Sequence, residues 1–171
     1  PTQTRADITD PLIRDPRPIQ EIKAISKAIA GELGSKTLVG IRSGNEARQA
    51  IARQEIATIL GTIENRAASA KYSGDLGKVL SGSKYNSLAS GNLSTTEANF
   101  AEFGDFITEA IEDYYAGKNP SLAPNDAHYW NPKIVSPSWS KYARSGNTTE
   151  VGEHTFADIT VPGTNRSEYA R

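Results

Sequence analysis

The sequence contains no cysteine, and it has only two histidines and two tryptophans in 171 residues. Without cysteine, neither a disulfide framework nor a thiolate metal site can form. Nineteen basic and twenty acidic residues give a net charge of −1, so no strong field attracts the chain to nucleic acid or to an acidic membrane. The apolar runs are short and interrupted by charge, which argues against membrane insertion. We therefore expect neither nucleic acid nor a membrane as a partner.

A chain of this length with 37% hydrophobic residues has the size of one compact domain. Residues 1–17 combine prolines and charges without apolar periodicity, and we assign them to an extended N-terminal arm. Arg5 and Asp7 lie where a signal peptide would need its apolar core, so we expect a gene product made without a cleavable leader. Residues 18–157 are predicted to form the domain and residues 158–171 a C-terminal tail.

Apolar spacing predicts most of the domain to be helical. A first helix is expected from Ile19 to Leu33, a short second one over 38–43, and a third with its apolar stripe between Ile51 and Ile63. Ser94 to Glu97 have the spacing of a capping box, which predicts the start of a long fourth helix. Short strands or ordered loops are expected from about Ala127 to Thr160. The predicted fold class is therefore mainly α (α+β).

Four sequence motifs follow one another in an order that points to a known family. The first is Leu38 to Arg48, which contains Glu46-Ala47-Arg48; the second is Ile56 to Arg66, which ends in Asn65-Arg66; and the third is Tyr85-Asn86-Ser87. The fourth runs from Ala116-Gly117 through His128-Tyr129 and Pro137-Ser138-Trp139 to Gly152-Glu153-His154-Thr155-Phe156. Each motif alone is weak, and their shared order and spacing carry the inference. In this pattern the chain resembles the cell-wall hydrolases of the spore-cortex-lytic (germination lytic transglycosylase) type over roughly residues 38–157.

The resemblance implies a lysozyme-like helical domain with a small β or loop lobe beside a glycan groove. It also implies an enzyme, a muramidase or lytic transglycosylase, that cuts the MurNAc-GlcNAc strands of peptidoglycan. In lytic transglycosylation a single glutamate acts first as acid and then as base. The sequence departs from the family pattern at Ala50, where a second acidic residue is usual, and at Tyr85, where phenylalanine is usual.

Glycoside cleavage needs a carboxylic acid that protonates the departing sugar oxygen. Glu46 is the predicted catalytic acid, because a glutamate where a Gly-Asn turn enters a helix can be partly buried, which disfavours its charged form. Two alternatives stay open. Glu46 can simply complement the dipole at a helix N-terminus, or Glu32 at the end of the first helix can be the acid, although that choice places a long insertion before the Asn65-Arg66 helix.

Six residues in the matched motifs are predicted to bind the glycan, mainly through flat aromatic faces with polar edges. They are Tyr85, Asn86, Ser87, His128, Tyr129 and Trp130. His154 is assigned a structural role, and because neither histidine has the ligand spacing of a zinc site, we expect no metal and no cofactor. Asn65 and Arg66 either brace the fold around the cleft, as the resemblance suggests, or form a solvated helix end.

A cell-wall hydrolase without a leader is typical of a bacteriophage product. We expect a virion (tail) component or a lysis enzyme, located in the phage particle or in the host cytoplasm before release and acting at the cell wall. The N-terminal arm and the C-terminal tail would contact other virion proteins. One alternative is a structural virion protein with a hydrolase-derived but inactive fold, and another is a module that binds glycan without cutting it.

Overall fold

The computed structural model describes residues 17–81 and 93–171, and these residues form a mainly helical protein with one small sheet. The five α-helices are α1 (Ile19–Glu32), α2 (Ser35–Arg42), α3 (Glu46–Ala68), α4 (Leu76–Ser81) and α5 (Leu93–Tyr115). The three strands are β1 (His128–Trp130), β2 (Thr149–Val151) and β3 (His154–Ala157), and two short 3-10 helices, Ser138–Tyr142 and Arg144–Gly146, precede β2. The predicted class, mainly α with a small β component, is confirmed.

Helix α3 runs through the centre of the core. From Ala52 to Ala67 it is buried on nearly every side, with Ile56, Ile59, Leu60 and Ile63 fully inaccessible to solvent. Helices α1 and α5 pack against each other and against α3 through their apolar stripes. In a helix that is buried on all sides, a polar side chain lowers the stability of the fold unless it forms a hydrogen bond. Buried polar residues of α3 such as Glu55 and Asn65 are accordingly held by hydrogen bonds.

The small sheet lies within the segment predicted as a β or loop lobe. Its strand order is β1-β3-β2, with both pairs antiparallel. Tyr129 pairs with Phe156 and Val151 with His154; the central strand β3 is buried at every position, and both outer strands contact α3. The sheet therefore brings Tyr129 and His154 against the helical part of the molecule.

Three local predictions were wrong. Ile51 is 48% exposed and is not part of the buried stripe of α3, because the helix begins earlier and its first turns extend beyond the core. Ser94 does not cap α5, since the helix already includes Leu93 and Thr96 is buried inside it. The segment 158–171 is not a loose tail: Tyr169 is fully buried, and the amide of Ala70 donates a hydrogen bond to the carbonyl of Ala170 (2.8 Å).

The predicted N-terminal arm lies outside the described residues except for Arg17. The guanidinium of Arg17 forms a double hydrogen bond with the buried carboxylate of Glu64, at 2.8 and 2.7 Å, and the hydroxyl of Tyr115 donates to the same carboxylate. Burial and the Glu64 charge raise the pKa of Tyr115 above its ordinary range.

None of the helices in residues 17–81 and 93–171 is long and apolar enough to cross a bilayer.

Candidate functional site

Glu32 is the last residue of α1 and lies opposite the first strand of the sheet. The hydroxyl of Tyr129 donates a hydrogen bond of 2.8 Å to Glu32 Oε1, although the two residues are 97 positions apart in the chain. Both residues are only partly buried, so part of their surface is open to solvent. A carboxylate at the C-terminal end of a helix faces the negative end of the helix dipole, which is unfavourable. Helix stability therefore does not explain a glutamate at this position.

The turn between α1 and α2 collects further polar groups beside Glu32. A Cβ atom at Gly34 would lie 1.6 Å from Glu153 Oε2 and 3.2 Å from Asn131 Nδ2, so only glycine allows these side chains to come this close to the backbone. Glu153 Oε1 accepts a hydrogen bond from the amide of Lys36 (2.8 Å) at the first turn of α2. Asn131 and Glu153 therefore lie against Gly34, two residues after Glu32, which Tyr129 contacts, and we refer to these four residues as the α1–α2 turn site.

Glu55, in the middle of α3, holds the sheet side of this site in place. Its carboxylate is completely buried and accepts hydrogen bonds from the hydroxyl of Thr37 (2.6 Å), the amide of Glu153 (2.8 Å) and Nδ1 of His154 (2.8 Å). At Gly152, where φ is +59°, a Cβ would lie 2.6 Å from the carboxyl carbon of Glu55. The β2–β3 turn is therefore built tightly around one buried carboxyl group.

Asn65 and Arg66 brace the segment that leads into β1. Nδ2 of Asn65 donates to the carbonyls of Pro124 (2.9 Å) and Asp126 (2.8 Å), and Nε of Arg66 donates to the carbonyl of Ala127 (2.6 Å). Both side chains are less than 5% exposed, so the alternative of a solvated helix end is wrong. Because Tyr129 follows directly after this segment, the Asn65-Arg66 pair fixes the position from which the tyrosine reaches Glu32.

Glu46, the predicted catalytic acid, is the first residue of α3 and is exposed. Within the described part of the chain, no hydrogen bond or ion pair involves its carboxylate, and the helix is capped instead by Asn45, whose side chain accepts from the amide of Arg48 (3.0 Å). This is the helix-dipole placement that was the first alternative for Glu46. The geometry therefore favours Glu32, the second alternative, as the carboxylate of the site.

The structure places the predicted glycan-binding residues in different environments. His128 is 1% exposed, lies 2.6 Å from Glu168 Oε1 through Nε2, and packs on Trp139, so its prediction as a cleft-wall residue is corrected to a buried structural one. Tyr129 belongs to the site, and Trp130 is half-buried in an edge-to-face contact with Trp139. His154 is buried, in agreement with its predicted structural role. The remaining three, Tyr85, Asn86 and Ser87, lie outside the described residues.

Asp126, whose backbone carbonyl accepts a hydrogen bond from Asn65, has a strongly raised pKa. Burial and the nearby charge of Asp158 raise its pKa to about 7, compared with 3.8 in the free amino acid. A raised pKa in the folded state means that stability is largest below pH 4, falls progressively as the pH rises from about 4 to about 7, and does not fall further above that range. We expect this group to lower the free energy of unfolding by at most about 4 kcal/mol between pH 4 and pH 8.

The prediction is tested with Asp126→Asn, which removes the titrating group. Urea unfolding at pH 4 and pH 8 should show that the variant gains stability over the wild type mainly at pH 8. Asp105→Asn removes the same charge from an exposed position on α5 and serves as the control. A stability difference between Asp126→Asn and the wild type that does not change with pH would contradict the assignment.

Comparisons with known proteins give no further guide to this site. No protein-family model, no curated protein and no solved structure matches the chain.

Proposed function

We propose that the protein cleaves the glycan strands of peptidoglycan and that Glu32, not Glu46, is its catalytic acid. The observation that carries the proposal is the hydrogen bond between Tyr129 and Glu32, which joins the carboxylate of a partly buried residue to a motif of the family resemblance. The helical domain and its small sheet fit the lysozyme-like architecture that the resemblance implies. In this arrangement the groove for the glycan would pass the α1–α2 turn site.

The chemistry requires one proton donor beside the scissile bond. Glu32, protonated, would give its proton to the bridging oxygen as the bond to C1 of the muramic acid breaks. The 6-hydroxyl of the same sugar would then attack C1 and return its proton to the Glu32 carboxylate, giving a 1,6-anhydro product. Tyr129 occupies Oε1 of Glu32, which leaves Oε2 to face the substrate.

A second carboxylate, that of Glu153, is close to the site but already engaged. Hydrolytic glycosidases use a pair of carboxylates, one of them free to activate water or to attack C1. Oε1 of Glu153 accepts from the amide of Lys36, and Oε2 lies directly against the backbone of Gly34, so neither oxygen of this carboxylate is placed like Oε2 of Glu32. This engagement supports the single-glutamate transglycosylase route over hydrolysis by water.

A second candidate function, a structural virion protein with an inactive hydrolase-derived fold, is favoured by one specific observation. His128 and His154, which both contribute to the family resemblance, are buried in hydrogen bonds with Glu168 and Glu55. Part of the matched pattern is therefore explained by folding alone.

For the active form, we propose a location in the phage virion or in the infected host, with the cell wall as the substrate.

Digestion of purified sacculi separates the two candidates. The active protein should release muropeptides that mass spectrometry identifies by their 1,6-anhydro ends, whereas hydrolysis would give reducing ends. A cell-wall zymogram and a sizing column, run with the same preparation, distinguish an active monomer from an inactive building block. Folded protein that releases no soluble product from sacculi would refute the enzymatic proposal.

A further inference from the structure

A cavity of about 210 Å³ opens beside the α1–α2 turn site. Its walls come from α2, the first turns of α3 and the β2–β3 turn, and they include Lys36, Gly40, Arg48, Ile51 and Glu153. None of these residues is needed for the proton transfer at Glu32. The cavity is therefore separate from the proton-transfer chemistry.

Two cations face this cavity. Lys36 and Arg48 are both exposed, and within residues 17–81 and 93–171 neither forms an ion pair with a carboxylate. Arg48 is nevertheless positioned: its Nη2 donates to the carbonyl of Lys36 (3.3 Å), and its side chain lies across Gly40, where a Cβ would be 3.2 Å from Nε. A guanidinium held in this way keeps other N–H groups available for an anion.

The remaining walls define what kind of anion fits. Ile51, which is 48% exposed, adds an apolar surface next to the two cations. Glu153 is the acidic group of the cavity, and its Oε1 accepts from the backbone amide of Lys36. Two positive charges thus face one negative charge, so the cavity favours a ligand that carries a carboxylate beside a small apolar group.

Glu153 connects this cavity to the catalytic candidate. While lining the cavity, its carboxylate also lies against Gly34, two residues after Glu32. In peptidoglycan, the muramic acid whose glycosidic bond is cut carries a short peptide with small apolar side chains and free carboxylates. We propose that the cavity binds this carboxylate-bearing stem peptide through Lys36 and Arg48, with Ile51 against its small side chains; this inference rests on the proposed function.

The test measures binding without turnover. Muramyl dipeptide, which has a free carboxylate, is titrated into ¹⁵N-labelled Glu32→Gln protein, and the amide signals of Gly40, Ala52 and Gly152 report on the cavity. We expect saturable shifts at these amides, weaker binding at high salt, and a dissociation constant raised about tenfold when Lys36→Gln or Arg48→Gln is added. Lys78→Gln, which removes an exposed lysine from α4, is the matched control and should not change the affinity.

Two further ligands identify what is recognised. The same glycopeptide with its carboxylate amidated should bind at least about tenfold more weakly, and inorganic phosphate at equal concentration should not displace the dipeptide. Equal binding of the amidated form, displacement by phosphate, or an unchanged affinity in both Lys36→Gln and Arg48→Gln would overturn the proposal. Sacculus digestion by the wild type is scored separately: cleavage without this binding refutes only the stem-peptide site, and binding without cleavage refutes only the enzymatic function.

Discussion

Replacing Glu32 by glutamine is expected to reduce the release of anhydromuropeptides from sacculi by about a hundredfold to ten-thousandfold. This is the range that a positioned general acid contributes to a reaction of this type. Glutamine keeps the size of the side chain and can still accept the hydrogen bond from Tyr129, but it has no proton to give to the bridging oxygen. Product release is measured by mass spectrometry at equal concentrations of folded protein.

The matched control for this variant is Glu46→Gln. It makes the same chemical change at an exposed position on α3, and we expect it to retain activity within a factor of about two, since exposed substitutions rarely perturb a distant site. Glu32→Gln should not destabilise the protein, because it removes a negative charge from the C-terminal end of α1. Loss of activity in Glu46→Gln together with retention in Glu32→Gln would restore the original prediction from the sequence.

Replacing Glu55 by alanine is expected to produce the largest loss of stability, about 3–5 kcal/mol in the free energy of unfolding. The change removes a fully buried acceptor and leaves the hydroxyl of Thr37 and Nδ1 of His154 without their partner. It also opens a void below Gly152. Equilibrium unfolding in urea, followed by circular dichroism, measures the difference.

Two further variants give the smallest and the intermediate loss of stability expected in this series. Glu150→Ala changes an exposed residue of the adjoining strand β2 and should alter stability by less than about 0.5 kcal/mol. Glu55→Gln keeps the volume of the side chain but has one acceptor oxygen in place of two, so its loss should lie between the two alanine variants. If Glu55→Ala costs less than about 1 kcal/mol, the buried carboxylate does not organise the β2–β3 turn as described.

Helical periodicity predicted the position of most helices, because the spacing of apolar residues reflects which face of a helix is buried. It misplaced Ile51, since periodicity alone does not show that the first turns of α3 project beyond the core. The sequence analysis likewise placed residues 158–171 in a C-terminal tail outside the domain, whereas Tyr169 packs in the interior. A short segment whose tyrosine is buried against residues far away in the chain shows no apolar periodicity in its own sequence.

At the candidate site, the difference between what the sequence predicted and what the structure shows is larger. The matched motifs include Asn65-Arg66 and Tyr129, but they favoured Glu46 over Glu32 because the shorter spacing to the Asn65-Arg66 helix needed almost no insertion. In the structure α2 and the start of α3 lie between Glu32 and that helix, and the end of α1 meets the sheet, so that Glu32 contacts Tyr129. Glu153 and Asn131 were not chosen, since nothing in their local sequence marks them as neighbours of Gly34.

The sequence by itself determined that the chain is a helical domain with a small β segment and balanced charge, because helix periodicity and net charge depend on residues close together or on simple sums. Only the tertiary structure decided which carboxylate is held by Tyr129, which charges are buried, and where Lys36 and Arg48 face an open cavity. These features depend on residues up to 97 positions apart approaching each other, and such approaches are set by packing of the whole core and not by any local pattern.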